Sequence, residues 1–162
     1  MKVLGIDLGA KGAICKMNNS LEVEYLRPMP TLGTKYSPKD TFNLIKELNE
    51  KGNVFAFMEK VSAFPGQSSK SMFSYGQHVG GIEMILIALN IPYEMVPPKT
   101  WQKTMFSGTE AKQNPKVRAL ASASRLAPTF DFKASERSKN PHDGMIDAYL
   151  IATFGIRKFA VS

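Results

Sequence analysis

Three acidic residues stand at separate points of the chain where structure could bring them together. Asp7 closes the segment Lys2-Val-Leu-Gly-Ile-Asp, Glu59 closes Asn53-Val-Phe-Ala-Phe-Met-Glu, and Asp147 is followed by the apolar run Ala148-Tyr-Leu-Ile-Ala152. Asp143 lies four residues before Asp147, so on a helix the two share a face. Hard cations such as Mg²⁺ are held by a few carboxylate oxygens together with water and substrate phosphate. Two such ions can clamp the attacking and leaving oxygens of a phosphodiester. Each acid also has a plain structural role open to it. Asp7 can accept hydrogen bonds from the turn Gly9–Gly12, and Glu59 can be a solvated strand end. With Asn140 as cap and Pro141 at the first helical position, Asp143 falls in a first helical turn, where an acid suits the helix dipole. Asp147 fits such a role least well, because apolar sequence at that point should be packing. His142 reads as a polar first-turn residue, with metal binding or proton transfer as the other reading.

The elements that must position these groups follow from period and punctuation. Lys2–Leu8 reads as a strand, Gly9–Gly12 as a turn and Ala13–Met17 as the return strand of a hairpin. Asn18–Ser20 makes a second turn, and Leu21–Leu26 alternates apolar and acidic residues as a half-exposed third strand. Pro28–Tyr36 reads as a loop. Ser37 then caps a helix with Pro38 at its first position, Phe42, Ile45 and Leu48 on its buried face and a stop at Gly52. Asn53–Glu59 is almost continuously apolar, the pattern of a central strand covered on both faces. A loop over 61–69 leads to a long helix from about Lys70 to Asn90, and Ile91–Val96 forms a fifth, shorter strand. Short helices are expected at Lys99–Thr104 and Pro115–Leu126, with a last helix from Pro141 to about Phe159. The order βββαβαβα, with further helices, is that of a layered α/β domain.

The chain of 162 residues is expected to form one domain spanning 1–162. Its 43% hydrophobic and 22% charged content are those of a packed globular protein. The apolar runs are too short to span a membrane, and the N-terminus enters a strand pattern directly, so a cytoplasmic location is expected. The single cysteine, Cys15, can form neither an internal disulfide nor a thiolate zinc site and reads as a small core residue. Charge is uneven: residues 1–96 hold ten Lys/Arg against nine Asp/Glu, and residues 97–162 hold eleven against five. Almost all of the excess of +7 is C-terminal. Such asymmetry suits a polyanionic partner, because each neutralised phosphate releases condensed counterions; it also suits solubility alone.

Taken together, Gly5-Ile-Asp-Leu-Gly9 with Lys11-Gly12, Phe57-Met-Glu-Lys-Val61, and Asp143-Gly-Met-Ile-Asp-Ala-Tyr-Leu-Ile-Ala152 resemble the acidic motifs of RuvC-type Holliday junction resolvases in order and spacing. Gln67 to Gly81, Ile91-Pro92 and Val96-Pro-Pro-Lys-Thr-Trp-Gln-Lys103 are similar to the smaller RuvC-like enzymes of phages, so the resemblance covers nearly the whole chain. It implies a ribonuclease H-like fold, a five-stranded mixed sheet of order 3-2-1-4-5 flanked by helices, with strands one and four side by side. It implies a homodimer that binds a four-way DNA junction and makes paired nicks with Mg²⁺ or Mn²⁺, in recombination or repair, in a bacterial or phage-infected cell. Asp7, Glu59 and Asp147 match family metal ligands, and Asp143 takes the place of the second acid of the last motif. Bacterial members put that companion acid or histidine three residues before the final Asp, where this chain has Gly144. Asp143, four before, or His142, five before, can therefore complete the site. The implied chemistry is hydrolysis without a covalent enzyme intermediate.

For DNA contact the candidates are Lys99, Lys103, Lys112, Lys116 and Arg118 in the basic half; by resemblance, the Lys103–Lys112 region meets phosphates near the junction centre. The other reading of each is a solvated helix face. Phe64 can stack on an unpaired base or pack beneath its loop, and Trp101 reads as an amphipathic anchor for its short helix. Gly76, Gly80 and Gly81 beside Met72, Phe73, Val79, Met84 and Ile85 suggest close approach by another helix, which in this family contributes to the dimer; packing on the sheet is the alternative. Three other functions fit parts of the pattern. The turn Asp7–Gly12 also resembles a phosphate loop of the actin, heat-shock and sugar-kinase superfamily, but those proteins bind ATP between two such domains. A catalytically degenerate junction-binding protein should lack a ligand, and the main acids are all present. An RNA-processing nuclease of the same fold is separated by substrate competition.

Overall fold

The computed structural model describes residues 1–60, 66 and 68–161. Strands β1 (Lys2–Asp7), β2 (Ala13–Met17) and β3 (Val23–Pro28) pair antiparallel, and β6 (Val54–Glu59) and β7 (Tyr93–Val96) run parallel to β1. The five-stranded sheet has the order β3-β2-β1-β6-β7, which is the expected 3-2-1-4-5. Helices α1 (Pro38–Leu48) and α2 (Ser69–Ala88) supply the crossovers that parallel pairing requires. They cover one face of the sheet. The other face carries α3 (Pro98–Met105), α4 (Pro115–Leu126) and α5 (Asp143–Val161). Among the described residues no helix is long and apolar enough to cross a membrane.

The two faces are sorted by strand alternation. Along β1, Leu4 and Ile6 join the core under α1 and α2, whereas Val3 and Gly5 lie on the α5 side. Along β6, Val54, Ala56 and Met58 take the first face, and Phe55 and Phe57 take the second. The same alternation carries Asp7 and Glu59, the next odd positions, to the α5 side. Cys15 is fully buried, as expected.

Most predicted elements stand within two residues of their expected limits, and α4 and the Ser37 cap agree fully: the Ser37 hydroxyl accepts from the Asp40 N–H. Three features differ. The loop Pro28–Tyr36 contains a small two-stranded sheet, β4 (Thr31–Leu32) and β5 (Lys35–Tyr36), turned at Gly33 with φ +63°. The third strand begins at Val23 rather than Leu21, because Asn18 Oδ1 accepts from the Ser20 and Glu22 N–H groups and holds Leu21 in the turn at φ 63°. The last helix starts at Asp143 rather than Pro141. Its cap is His142, whose ring Nδ1 accepts from the Met145 N–H at 3.2 Å, so Asn140 does not take that role.

Candidate active site

The parallel register of β1 and β6 pairs Ile6 with Met58, so Asp7 and Glu59 stand next, level with one another at adjacent strand ends. What brings α5 to them is the absence of side chains. Gly5 sits under the backbone of Ala148 and Ala152, and Gly144 sits against Lys11 and Gly12; a Cβ at either glycine would overlap those atoms. The helix therefore lies directly on β1 and its first turn abuts the Gly9–Gly12 loop, which sets Asp143 and Asp147 beside Asp7. The position three residues before Asp147 is thus closed by backbone to any larger side chain.

Asp7, Asp143 and Asp147 line one cleft of about 700 Å³ together with the Gly9–Gly12 loop, Lys70 and Tyr75 of α2, and Lys116 of α4. Glu59 is not among the lining residues; its Oε1 accepts from the indole N–H of Trp101 at 3.1 Å. Burial pushes the Asp7 carboxyl well above the usual carboxylate range; the charges of Asp147 and Glu59 add to the shift and the Leu8 N–H opposes it. Asp147 is pushed up to about 7 by burial, then by Glu59 and Asp143, against the attraction of Lys116. Glu59 is raised by burial and held down in part by Trp101. Asp7, Glu59 and Asp147 thus crowd like charges into a poorly solvated space, and the exposed Asp143 adds its charge to Asp7 and Asp147.

Among the described residues no three acidic, histidine or cysteine side chains converge closely enough to enclose an ion by themselves. A cation such as Mg²⁺, which takes one or two protein carboxylates and draws its other oxygens from water and phosphate, needs no such enclosure. The donor set is all hard oxygen; Lys11, Lys70 and Lys116 line the same cleft, and Lys116 pairs with Asp143 at 2.6 Å. Both Asp143 and Lys116 are more than half exposed, so this pair is open to exchange with an incoming ion or phosphate.

The remaining predicted residues divide. Lys99, Lys103 and Lys112 are exposed. Arg118 is engaged within the fold, with Nε donating to Thr109 Oγ1 and the guanidinium over the Phe106 ring. His142 serves as the helix cap and does not line the cleft, whereas Asp143 does. Phe64 lies outside the described residues. Two residues have contacts with no signal in local sequence: Trp101, which bonds Glu59 without lining the cleft, and Tyr75, which lines it. Trp101 is the anchor expected of it, fully buried, but its N–H reaches 42 positions back to Glu59. Tyr75 is raised by burial and by the charges of Glu59 and Asp7, and its buried hydroxyl has no hydrogen-bond partner among the described residues.

No protein-family model matches the chain, and no curated protein sequence does. Solved structures do. The structure of Thermus thermophilus RuvC superposes with a TM-score of 0.63 at 16% identity, covering 98% of this chain and 97% of that one. T. thermophilus RuvC in complex with a Holliday junction substrate superposes with a TM-score of 0.62 at 13% identity, covering 98% and 96%. The sheet order, the crossover helices and the long helix laid over β1 thus make up the ribonuclease H-like fold of RuvC.

Proposed function

We propose that this chain is a divalent-metal-dependent endonuclease that nicks branched DNA, four-way junctions above all, and belongs with the phage-like RuvC resolvases. The observation that carries this reading is the placement of Asp7, Asp143 and Asp147 around one cleft, with Glu59 level with Asp7, on a fold shared end to end with a protein solved on a Holliday junction. A divalent ion, when bound, supplies Lewis acidity at the phosphorus and activation of water. One or two of Asp7, Glu59, Asp143 and Asp147 would hold it, water and phosphate oxygens supplying the other positions, with Glu59 oriented by Trp101. Lys116 is placed to exchange Asp143 for a phosphate oxygen, and the exposed Lys99, Lys103 and Lys112 would hold the arms by sequence-independent contact.

The dimer expected of such an enzyme has support on α2. Only Ile82, Ile85 and Leu86 of its twenty residues are fully buried. Phe73, Met84 and Ile87 are 70%, 61% and 54% exposed, and Gly76 and Gly80 between them face open space. Two copies packed along this stripe would bury it and present two clefts, one for each strand of a paired cut.

The test incubates the purified protein with a labelled four-way junction, with and without Mg²⁺, beside Asp7→Asn. The expected result is symmetric nicking that needs the metal and falls by at least about 10³-fold in the variant. Metal-independent cutting, or full activity of Asp7→Asn, would sink the reading. Binding without cutting would make the protein a non-catalytic junction binder.

A further inference from the structure

The small sheet β4–β5 is not part of the expected framework, and it builds a second concavity. Thr34, Lys35 and Tyr36 of the hairpin face Lys70, Gln77 and His78 of α2 across a groove of about 530 Å³. Tyr36 and His78, both in its lining, meet at 4.7 Å between ring centroids with their planes tilted by 55°. Ala10, Lys70, Ser74 and His78 line both this groove and the acidic cleft, so the two are continuous along α2.

The chemistry of the two spaces differs. Among the described residues the groove has no acidic lining, and Lys35 and Lys70 make no ion pair with a carboxylate. Unpaired ammonium groups, hydroxyls and an amide suit a chain of phosphates, and Lys70 stands at the mouth shared with the acids. The hairpin register sets Leu32 opposite Lys35, so both lie on one face of the ribbon, and Leu32 is 79% exposed. An exposed leucine beside a lysine is suited to a base step whose stacking is already broken.

We infer that the groove between the β4–β5 hairpin and α2 is a binding subsite for the nucleic-acid strand being cut: the strand leaves the acidic cleft past Lys70 and continues under Lys35. This rests on the branched-DNA reading and adds a subsite on the α2 side, away from the basic half that holds Lys99, Lys103 and Lys112. A single polar cleft would position one phosphate. The continuous groove fixes the direction in which the strand crosses the acids, and so which phosphodiester is presented.

The test measures binding of a labelled four-way junction in EDTA across a salt series. The parent, Lys35→Ala/Lys70→Ala, and Lys46→Ala/Lys51→Ala as an equal charge loss on and just after α1 are compared. The groove variant should bind roughly tenfold more weakly near physiological salt and lose about 2 from the slope of log K against log salt, one for each phosphate contact. The control pair should leave the slope unchanged. Cys15 is fully buried, so Thr34→Cys carries the only accessible thiol among the described residues, and a photo-crosslinker placed there should map within a few nucleotides of the nick made in Mg²⁺. Junction binding with equal slopes for both pairs, or crosslinks confined to the arm ends, would overturn the subsite and leave the nuclease reading intact. A parent that binds no branched DNA at any salt would overturn both.

Discussion

The two long helices α2 and α5 are both rich in apolar residues, yet they meet the sheet differently. α5 buries twelve of its nineteen residues, an unbroken run from Gly144 to Ile156 except Asp147. α2 buries three of twenty and leaves aromatic and aliphatic side chains in solvent. Composition alone does not separate a helix that packs within the chain from one that keeps a face for something else. Glycine placement does. On the α5 side the glycines are in contact, Gly5 and Gly144 under backbone and Gly155 under Phe57, whereas Gly76 and Gly80 of α2 face nothing. The acid site is built on the first arrangement, because exact seating of α5 sets the distance from Asp147 to Asp7. The second offers surface.

The sharpest way to break this contrast is at Gly5. Valine there would drive its side chain into the backbone of Ala148 and Ala152, which cannot move without lifting α5 from β1. We expect a loss of more than about 4 kcal/mol, or failure to fold, read by thermal or urea unfolding. Gly80→Ala on α2 meets open space and should stabilise by up to about 1 kcal/mol through helix propensity. Similar tolerance at both glycines would refute the distinction.

The next effect separates the site from the scaffold on the α5 side. The carboxyl of Asp147 is raised to about 7, so the folded protein keeps a proton that the unfolded chain releases near pH 4. Its ionisation therefore subtracts stability as pH rises through this window, and the loss is complete above pH 7. Asp147→Asn removes the charge. The variant should be more stable than the parent at pH 8 by on the order of 2 kcal/mol, roughly 4–8 °C in Tm, with the gap closing toward pH 4. Mg²⁺ at pH 8 should raise the Tm of the parent more than that of the variant. A gap that is constant with pH would place Asp147 outside the coupled acid unit.

How much of this was legible beforehand depends on the range of the signal. The cap at Ser37 and the span of α4 from Pro115 to Leu126 are written in neighbouring residues, and the structure repeats them. The carboxylates at the ends of strands one and four were legible as candidates, and their adjacency followed from the implied sheet order rather than from any local pattern. The β4–β5 hairpin was not legible, because strands of two residues have no period to read. Nor was the start of α5: a histidine ring acting as cap is overridden in sequence by the stronger Asn-Pro signal just before it. The hydrogen bond from Trp101 to Glu59 joins residues 42 apart, and only the fold creates it. Gly5 and Gly144 did carry a signal, since glycine inside a strand or a first helical turn marks close approach, but nothing local names the partner.

The smallest expected change in folding carries the largest consequence for assembly. Phe73 is 70% exposed on α2, so Phe73→Glu should alter the stability of the fold by no more than about 0.5 kcal/mol. If the stripe from Phe73 to Ile87 is where two copies meet, a charge placed in it must be desolvated twice across a two-fold contact, and the dimer should dissociate. Sedimentation at micromolar concentration should then give a monomer for Phe73→Glu and a dimer for the parent. If the protein nicks DNA as proposed, paired nicking should become single nicking, because each copy carries its own set of acids. A parent that sediments as a monomer would remove the reason for the exposed stripe, while a variant that stays dimeric would move the interface elsewhere. The α5 side predicts the opposite pairing of effects: damage within Gly144–Ile156 unfolds the chain before it changes how many copies associate, since that stretch is buried except for Asp147.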